Sequence, residues 1–169
     1  YEKRIMNFYL PLTVLCCSLA FFQQGYSSSA LNVPESYVEK FLIEAFRERY
    51  GIDLTLESAT TLFSIAVSIS FLGTLVGALF VGRVAETFGR KRGLLYTQVF
   101  SIFSAICMGC CKLALSYEML VIGRLSIGFS EGILIGIAQL YASEIAPLHI
   151  RGALIMINAV GGTTGGLIA

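Results

Sequence analysis

Two charged residues inside an otherwise uncharged apolar stretch are the sharpest chemical signal in this 169-residue chain. Between Met119 and Ser143, the only charged residues are Arg124 and Glu131. An acid in the middle of an apolar helix costs about 2.5 to 3.5 kcal/mol to insert into a membrane, so it needs a partner or a water path. The spacing of seven places the two charges on one helical stripe, roughly 10 Å apart along the axis. Two interpretations follow: the two charges pair through water or through a residue of another helix, or Glu131 has a proton-coupling role.

A second set of polar residues is uncharged and also lies in apolar segments. Gln23 and Ser27 are four residues apart, so they share a helix face, and Gln24 and Ser28 repeat that spacing. The candidate substrate-binding residues are Gln23, Gln24, Ser27, Asn158 and Thr163. Such residues predict either a hydrated cavity for a neutral, hydroxyl-rich solute or hydrogen bonds between helices without any cavity.

Membrane helices must position these residues, because the composition does not suit a water-soluble domain. The chain is 56% hydrophobic and 14% charged, whereas soluble domains have about 25% charged residues. A helix needs about 20 mainly apolar residues to cross the hydrocarbon core. Five segments meet this requirement, at about 8–31, 59–81, 93–111, 119–142 and 152–169. The predicted fold class is therefore an all-α membrane protein, and the net charge of +1 gives no basic field for nucleic acid.

Basic residues in the short connections predict that the N-terminus is cytoplasmic. The basic residues that this orientation places inside are Lys3, Arg4, Arg83, Arg90, Lys91, Arg92 and Arg151. The segment 32–58 carries six acids and three bases and is predicted to be an outer loop. Within this loop, apolar residues at helical spacing between Val38 and Tyr50 predict a short interfacial helix.

Glycines four residues apart predict close contacts between helices in lipid, where small residues let two backbones approach each other. These glycines are Gly73 and Gly77, then Gly128, Gly132 and Gly136, and finally the two pairs Gly161 with Gly165 and Gly162 with Gly166. No nucleophile, metal-binding or phosphate-binding motif accompanies them. We therefore predict no enzymatic activity, no cofactor and no bound metal.

Several motifs in the connections resemble one family. Residues 82–92 (GRVAETFGRKR) resemble the signature loop of the major facilitator superfamily, G-x-x-x-D-R-x-G-R-R/K. Three further segments resemble the motifs of its sugar porter branch, namely the pairs at 123–124 and 151–152 and the YASEIAP run at 141–147. The QQGY run at 23–26 is similar to the first helix of the animal facilitative glucose transporters.

The resemblance implies the N-terminal five transmembrane helices of a twelve-helix major facilitator fold, with residues 1–169 forming part of the N-terminal half. The implied activity is facilitative (uniport) transport of a hexose or related polyol across the plasma membrane by alternating access. The implied partners are the sugar, the lipid bilayer and the C-terminal half of the same transporter. A proton-coupled sugar symporter and a transport-inactive sensor or scaffold are the alternatives. Ser27 stands where proton-coupled relatives carry an acid, which favours uniport.

The same resemblance implies a network at the cytoplasmic helix ends that steadies an outward-open state. Its implied members are Glu86, Gly89, Arg90, Glu144 and Arg151. Plain anchoring by basic residues is the alternative. The chain departs from the family pattern, since Thr87 replaces the signature Arg and Ala159 stands where glucose transporters have a sugar-binding Gln. Because the chain begins with Tyr1 and its last apolar segment stops in mid-pattern, we expect a fragment of a longer protein.

Overall fold

The computed structural model describes residues 2–30, 35–51, 53–147 and 151–169. These residues form six α-helices and no strand, which confirms the all-α class. In chain order the helices are α1 Glu2–Ser29, α2 Glu35–Tyr50, α3 Leu56–Thr87, α4 Gly89–Ala114, α5 Tyr117–Ile145 and α6 Arg151–Ile168. A helix occupies each of the five predicted apolar segments and also the predicted short helix of the outer loop. Residues 31–34 and 52, which belong to that loop and to the end of the first predicted span, lie outside the described residues.

Among the described residues, three helices are long and apolar enough to cross a membrane. They are Leu56–Thr87, Gly89–Cys111 and Tyr117–Ile145. The other two predicted crossings coincide with α1 and α6 and stay predictions. Helix α2 has 16 residues and is therefore about 24 Å long, which is shorter than the hydrocarbon core of about 30 Å.

The chain divides into two compact units. The first unit consists of Tyr1–Asn32 with Leu134–Ala169, and the second of Val33–Ile133. The first unit therefore contains α1, α6 and the end of α5. The second contains α2, α3, α4 and the start of α5.

In the first unit, α1 and α6 pack backbone against backbone. A methyl group at Gly161 would lie 2.6 Å from the Ser18 carbonyl oxygen, and one at Gly165 would overlap the Phe22 carbonyl. These contacts advance in the same direction along both helices, so α1 and α6 run parallel. The predicted role of Gly161 and Gly165 in a helix contact is confirmed.

In the second unit, α3 and α5 pack in the same way. The glycines of this contact are Gly73, Gly77, Gly128 and Gly132. A methyl group at Gly128 would overlap the Ser70 carbonyl, and one at Gly132 would lie 2.9 Å from the amide nitrogen of Ala78. These two helices are also parallel, and the prediction of close contact is confirmed for all four glycines.

Hydroxyl groups fill the contact between α4 and α5. The Ser101 and Ser130 oxygens are 2.6 Å apart, and the Ser130 hydroxyl donates to the Thr97 carbonyl at 2.9 Å. The Ser104 hydroxyl donates to the Gly123 carbonyl at 2.6 Å. The three serines are buried. Because each of them has a hydrogen-bond partner, these polar groups join the two helices at little cost in a medium without water.

Helix α2 is held within the second unit by both apolar and polar contacts. Leu42 and Ala45 are buried on its inner side. In its last turn, Arg49 forms a 3.2 Å ion pair with Glu118 at the start of α5, and the Tyr50 hydroxyl donates to the same carboxylate at 2.6 Å. The apolar stripe that predicted an interfacial helix is therefore covered at Leu42 and Ala45 by the protein itself.

Candidate substrate-binding face and buried charges

Gln24 and Ser28 form the polar pair that their four-residue spacing predicts. Gln24 Nε2 donates a 3.2 Å hydrogen bond to Ser28 Oγ. Gln24 Oε1 lies 3.8 Å from the position that a methyl group at Gly162 of α6 would occupy. The amide of Gln24 thus lies beside α6 at Gly162, where an added methyl group would be in ordinary contact with it.

Thr163 lies next to Gly162 and is turned about 100° further round α6. Its side chain is exposed, and its hydroxyl contacts the carbonyls of Val160 at 3.0 Å and Ala159 at 3.3 Å. Ala159 is exposed as well. We call Gln24, Ser28, Gly162 and Thr163 the polar face of the first unit. None of these four residues carries a charge.

The other predicted residues of α1 are placed differently. The Ser27 hydroxyl donates to the Gln24 carbonyl of its own helix at 3.2 Å. Gln23 and Ser27 are both half-buried. Their predicted role in substrate binding stays a prediction.

Asn158 is separated from the polar face by burial. Its side chain is 1% exposed, and it precedes Gly161 and Gly165 by three and seven residues, on the stripe of α6 that packs against α1. Neither its Oδ1 nor its Nδ2 has a hydrogen-bond partner among the described residues. Because this amide is buried in the contact with α1, Asn158 is not counted in the polar face, and its predicted role in substrate binding stays a prediction.

Ser28 and Gly162 belong to the polar face although the sequence did not single them out as binding residues. The signal for Ser28 was present, because it lies four residues after Gln24. The signal for Gly162 was ambiguous, because it forms part of a run in which every glycine fits a helix contact equally well. A methyl group would overlap backbone at Gly165 and would meet only ordinary contacts at Gly162, although the Gly162 carbonyl itself contacts Gly25 of α1.

The first half of the predicted charge network lies at the turn between α3 and α4. Gly89 has a φ of +75°, a left-handed conformation that glycine adopts without strain and that allows the tight turn between the two helices. Arg90 Nη1 donates to the Ala85 carbonyl at 3.5 Å. Glu86 is exposed in the last turn of α3.

The second half of the network lies in the first unit. Glu144 is exposed near the end of α5, and Arg151 is half-buried where α6 begins. The connection between these helices includes residues 148–150, which lie outside the described residues. A gating role for these five residues stays a prediction.

Arg124 and Glu131 are both buried on α5, with exposed fractions of 3% and 8%. They belong to the second unit, which ends at Ile133. The structure therefore places both charges of the apolar stretch inside protein, as the cost of an ion in lipid requires.

Comparisons with known proteins identify the class and then the family. The chain has the fold of the major facilitator proton:xylose symporter XylE, solved with 6-bromo-6-deoxy-D-glucose bound, with a TM-score of 0.85 and 20% identity. The match covers 96% of this chain and 36% of that structure. The family model for sugar (and other) transporters matches residues 13–169, so the chain belongs to this family. Its fold and family are those of multi-pass membrane proteins.

Curated relatives agree with this assignment. The chain is 36% identical over 168 residues to solute carrier family 2, facilitated glucose transporter member 5, of Homo sapiens, covering 99% of this chain and 34% of the relative. It is 34% identical over 164 residues to member 4 of the same carrier family from Bos taurus, covering 95% and 32%. The chain thus spans about a third of the length of the curated relatives it matches.

Proposed function

We propose that the complete protein carries a hexose or related polyol across the plasma membrane by facilitative (uniport) transport. Access to the site alternates between the two sides, and the N-terminus is cytoplasmic. The observation that carries the proposal is the uncharged polar face, in which the Gln24 amide bonds to Ser28 and lies beside Gly162 of the neighbouring helix.

The chemistry of this face suits a neutral hydroxyl compound. A glutamine amide has both a donor and an acceptor, and a sugar hydroxyl can match either of them. An ionic substrate would need a counter-charge, and the four residues of the face supply none. The relatives are named as facilitated glucose transporters, which supports the same substrate class.

Transport by this protein is expected to require the C-terminal half of the same transporter. The chain spans about a third of its relatives, so the remaining sugar contacts are expected from outside these 169 residues. The chain by itself is expected not to transport.

Uptake of a panel of radiolabelled hexoses by the full-length protein in proteoliposomes tests the proposal. Gln24→Ala should lower uptake of the transported sugar about tenfold, which corresponds to the loss of one hydrogen bond worth about 1.4 kcal/mol. Gln139→Ala, at an exposed glutamine of α5 outside the polar face, is the matched control and should transport like the unmodified protein. Equal uptake by both variants would contradict the assigned face.

The mode of transport is tested in the same vesicles. A uniporter equilibrates its sugar, and neither a proton gradient nor a protonophore should change the final level. Accumulation above the external concentration under an inward proton gradient would favour the symporter. A folded protein that takes up none of the sugars would instead favour a sensor or scaffold.

A further inference from the structure

The buried charges of α5 lie on one stripe of the helix. Arg124 and Glu131 are two turns apart, which is about 10 Å along the axis, and their directions differ by about 20°. Both residues belong to the second unit, and both are more than nine-tenths buried. Neither charge can therefore rely on bulk water for solvation.

This stripe differs from the two faces of α5 that pack against its neighbours in the second unit. Gly128 and Gly132 face α3, and Ser130 faces α4. Glu131 follows Ser130 and precedes Gly132, and each step turns the side chain by about 100°. Glu131 therefore points between the glycine contact and the serine contact, and Arg124, four residues before Gly128, lies at the edge of the glycine contact.

The two charges are opposite in sign and lie on one stripe of the same helix, so each lowers the cost of burying the other. A buried ion without compensation is far more costly than a buried pair, because the pair recovers part of the lost hydration energy. At a spacing of two turns, one water or one polar group suffices to bridge the two side chains.

We propose that Glu131 is the permanent charge partner of Arg124, a positioning residue that keeps the guanidinium neutralised within α5 and carries no proton during transport. This role goes beyond sugar transport, because it concerns the stability of the two buried charges in α5 and does not depend on which substrate is carried.

A double-variant cycle in the full-length protein tests the pairing. Arg124→Gln, Glu131→Gln and the double variant are compared by their thermal midpoints and folded yields on size-exclusion chromatography in detergent. Each single change should lower the midpoint by several degrees, because it leaves one buried charge without its partner. The double variant should recover at least half of the summed loss.

Glu118→Gln provides the matched control, since Glu118 lies on the same helix but contacts Arg49. Its effect and that of Arg124→Gln should simply add in the combined variant. Arg124→Lys should retain much of the stability when Glu131 is present and lose that advantage in the Glu131→Gln background. Additive losses in the Arg124→Gln/Glu131→Gln variant would overturn the proposal. If the single variants do not fold, a double variant that folds no better would overturn it as well.

The pH profile of uptake separates pairing from proton transport. Glu131→Gln should leave the shape of that profile unchanged even if the amount of folded protein falls. A profile that loses its pH dependence in this variant would show that Glu131 exchanges protons during the cycle, and would overturn the second part of the proposal. The stability cycle itself does not depend on whether the protein transports a hexose.

Discussion

Tyr50 at the end of α2 donates a 2.6 Å hydrogen bond to Glu118 at the start of α5, 68 positions further along the chain. The residue beside Glu118 extends the connection, because the Tyr117 hydroxyl donates to the Leu62 carbonyl of α3 at 3.0 Å. The Phe46 ring of α2 lies 6.0 Å from the Tyr117 ring. The first turn of α5 thus forms side-chain contacts with both α2 and α3.

Removing the Glu118 carboxylate should loosen α2. Glu118→Gln weakens the bond from Tyr50 and removes the ion pair with Arg49, so amide hydrogen exchange within residues 36–50 should become faster. The control is Arg47→Gln, because Arg47 pairs with Asp53 at 3.4 Å while both side chains are largely exposed, at 74% and 84%. Such exposed pairs contribute little, so exchange in this variant should match the unmodified protein.

The same bond predicts a difference in tyrosine ionisation. The hydrogen bond to Glu118 is the main cause that raises the pKa of Tyr50 above its ordinary value. Since the bond needs the protonated hydroxyl, its contribution is complete below about pH 10 and is lost as the pH rises through the raised pKa. Ultraviolet titration should show one tyrosine ionising at lower pH in Glu118→Gln than in the unmodified protein. Identical curves, or a difference that survives in the Tyr50→Phe background, would contradict this assignment.

The contact between α3 and α5 should not tolerate a methyl group at Gly128. Gly128→Ala would place that group against the Ser70 carbonyl, so the two helices would have to move apart and lose their packing. Gly82→Ala is the control, because no atom of the described residues lies within 4 Å of the added group. We expect a clear fall in thermal midpoint for Gly128→Ala, and no loss for Gly82→Ala, where alanine also favours the helix by about 1 kcal/mol.

Removing the Ser130 hydroxyl should destabilise the contact between α4 and α5. Ser130→Ala leaves the buried Ser101 hydroxyl without its partner, at a cost of about 1 to 3 kcal/mol in the free energy of unfolding. Ser143→Ala should have a smaller effect, because the hydrogen bond that the Ser143 hydroxyl makes among the described residues is to the Leu140 carbonyl of its own helix. Urea or thermal unfolding in detergent would measure both changes, and equal losses would argue against the role of the serine contact.

Local sequence patterns predicted the helices well and their partners poorly. The apolar segments and the spacing within 38–50 are properties of single helices, and the structure has a helix at each of them. The spacing of Gly73 and Gly77 predicts a helix face that another helix can approach closely. It does not predict that the other helix is α5, since any helix with small residues on one face could pack there equally well.

The same limit explains the candidate site. Asn158 and Thr163 are both polar residues of α6, yet one is buried against α1 and the other is exposed. Helical periodicity separates their directions, but only the position of α1 decides which direction is buried. The Gln24–Ser28 pair was predictable, because both of its members lie on one helix and four residues apart.

The direction of α1 and α6 has a consequence for how often the chain changes sides. Two parallel helices in one bilayer must be separated by an odd number of crossings, because each crossing reverses the direction of the chain. Between Gly25 and Gly162, which meet in this contact, α3, α4 and α5 would supply three. A fourth crossing by α2 would have made α1 and α6 antiparallel. The parallel direction of α1 and α6 is thus the one that the predicted five spans require.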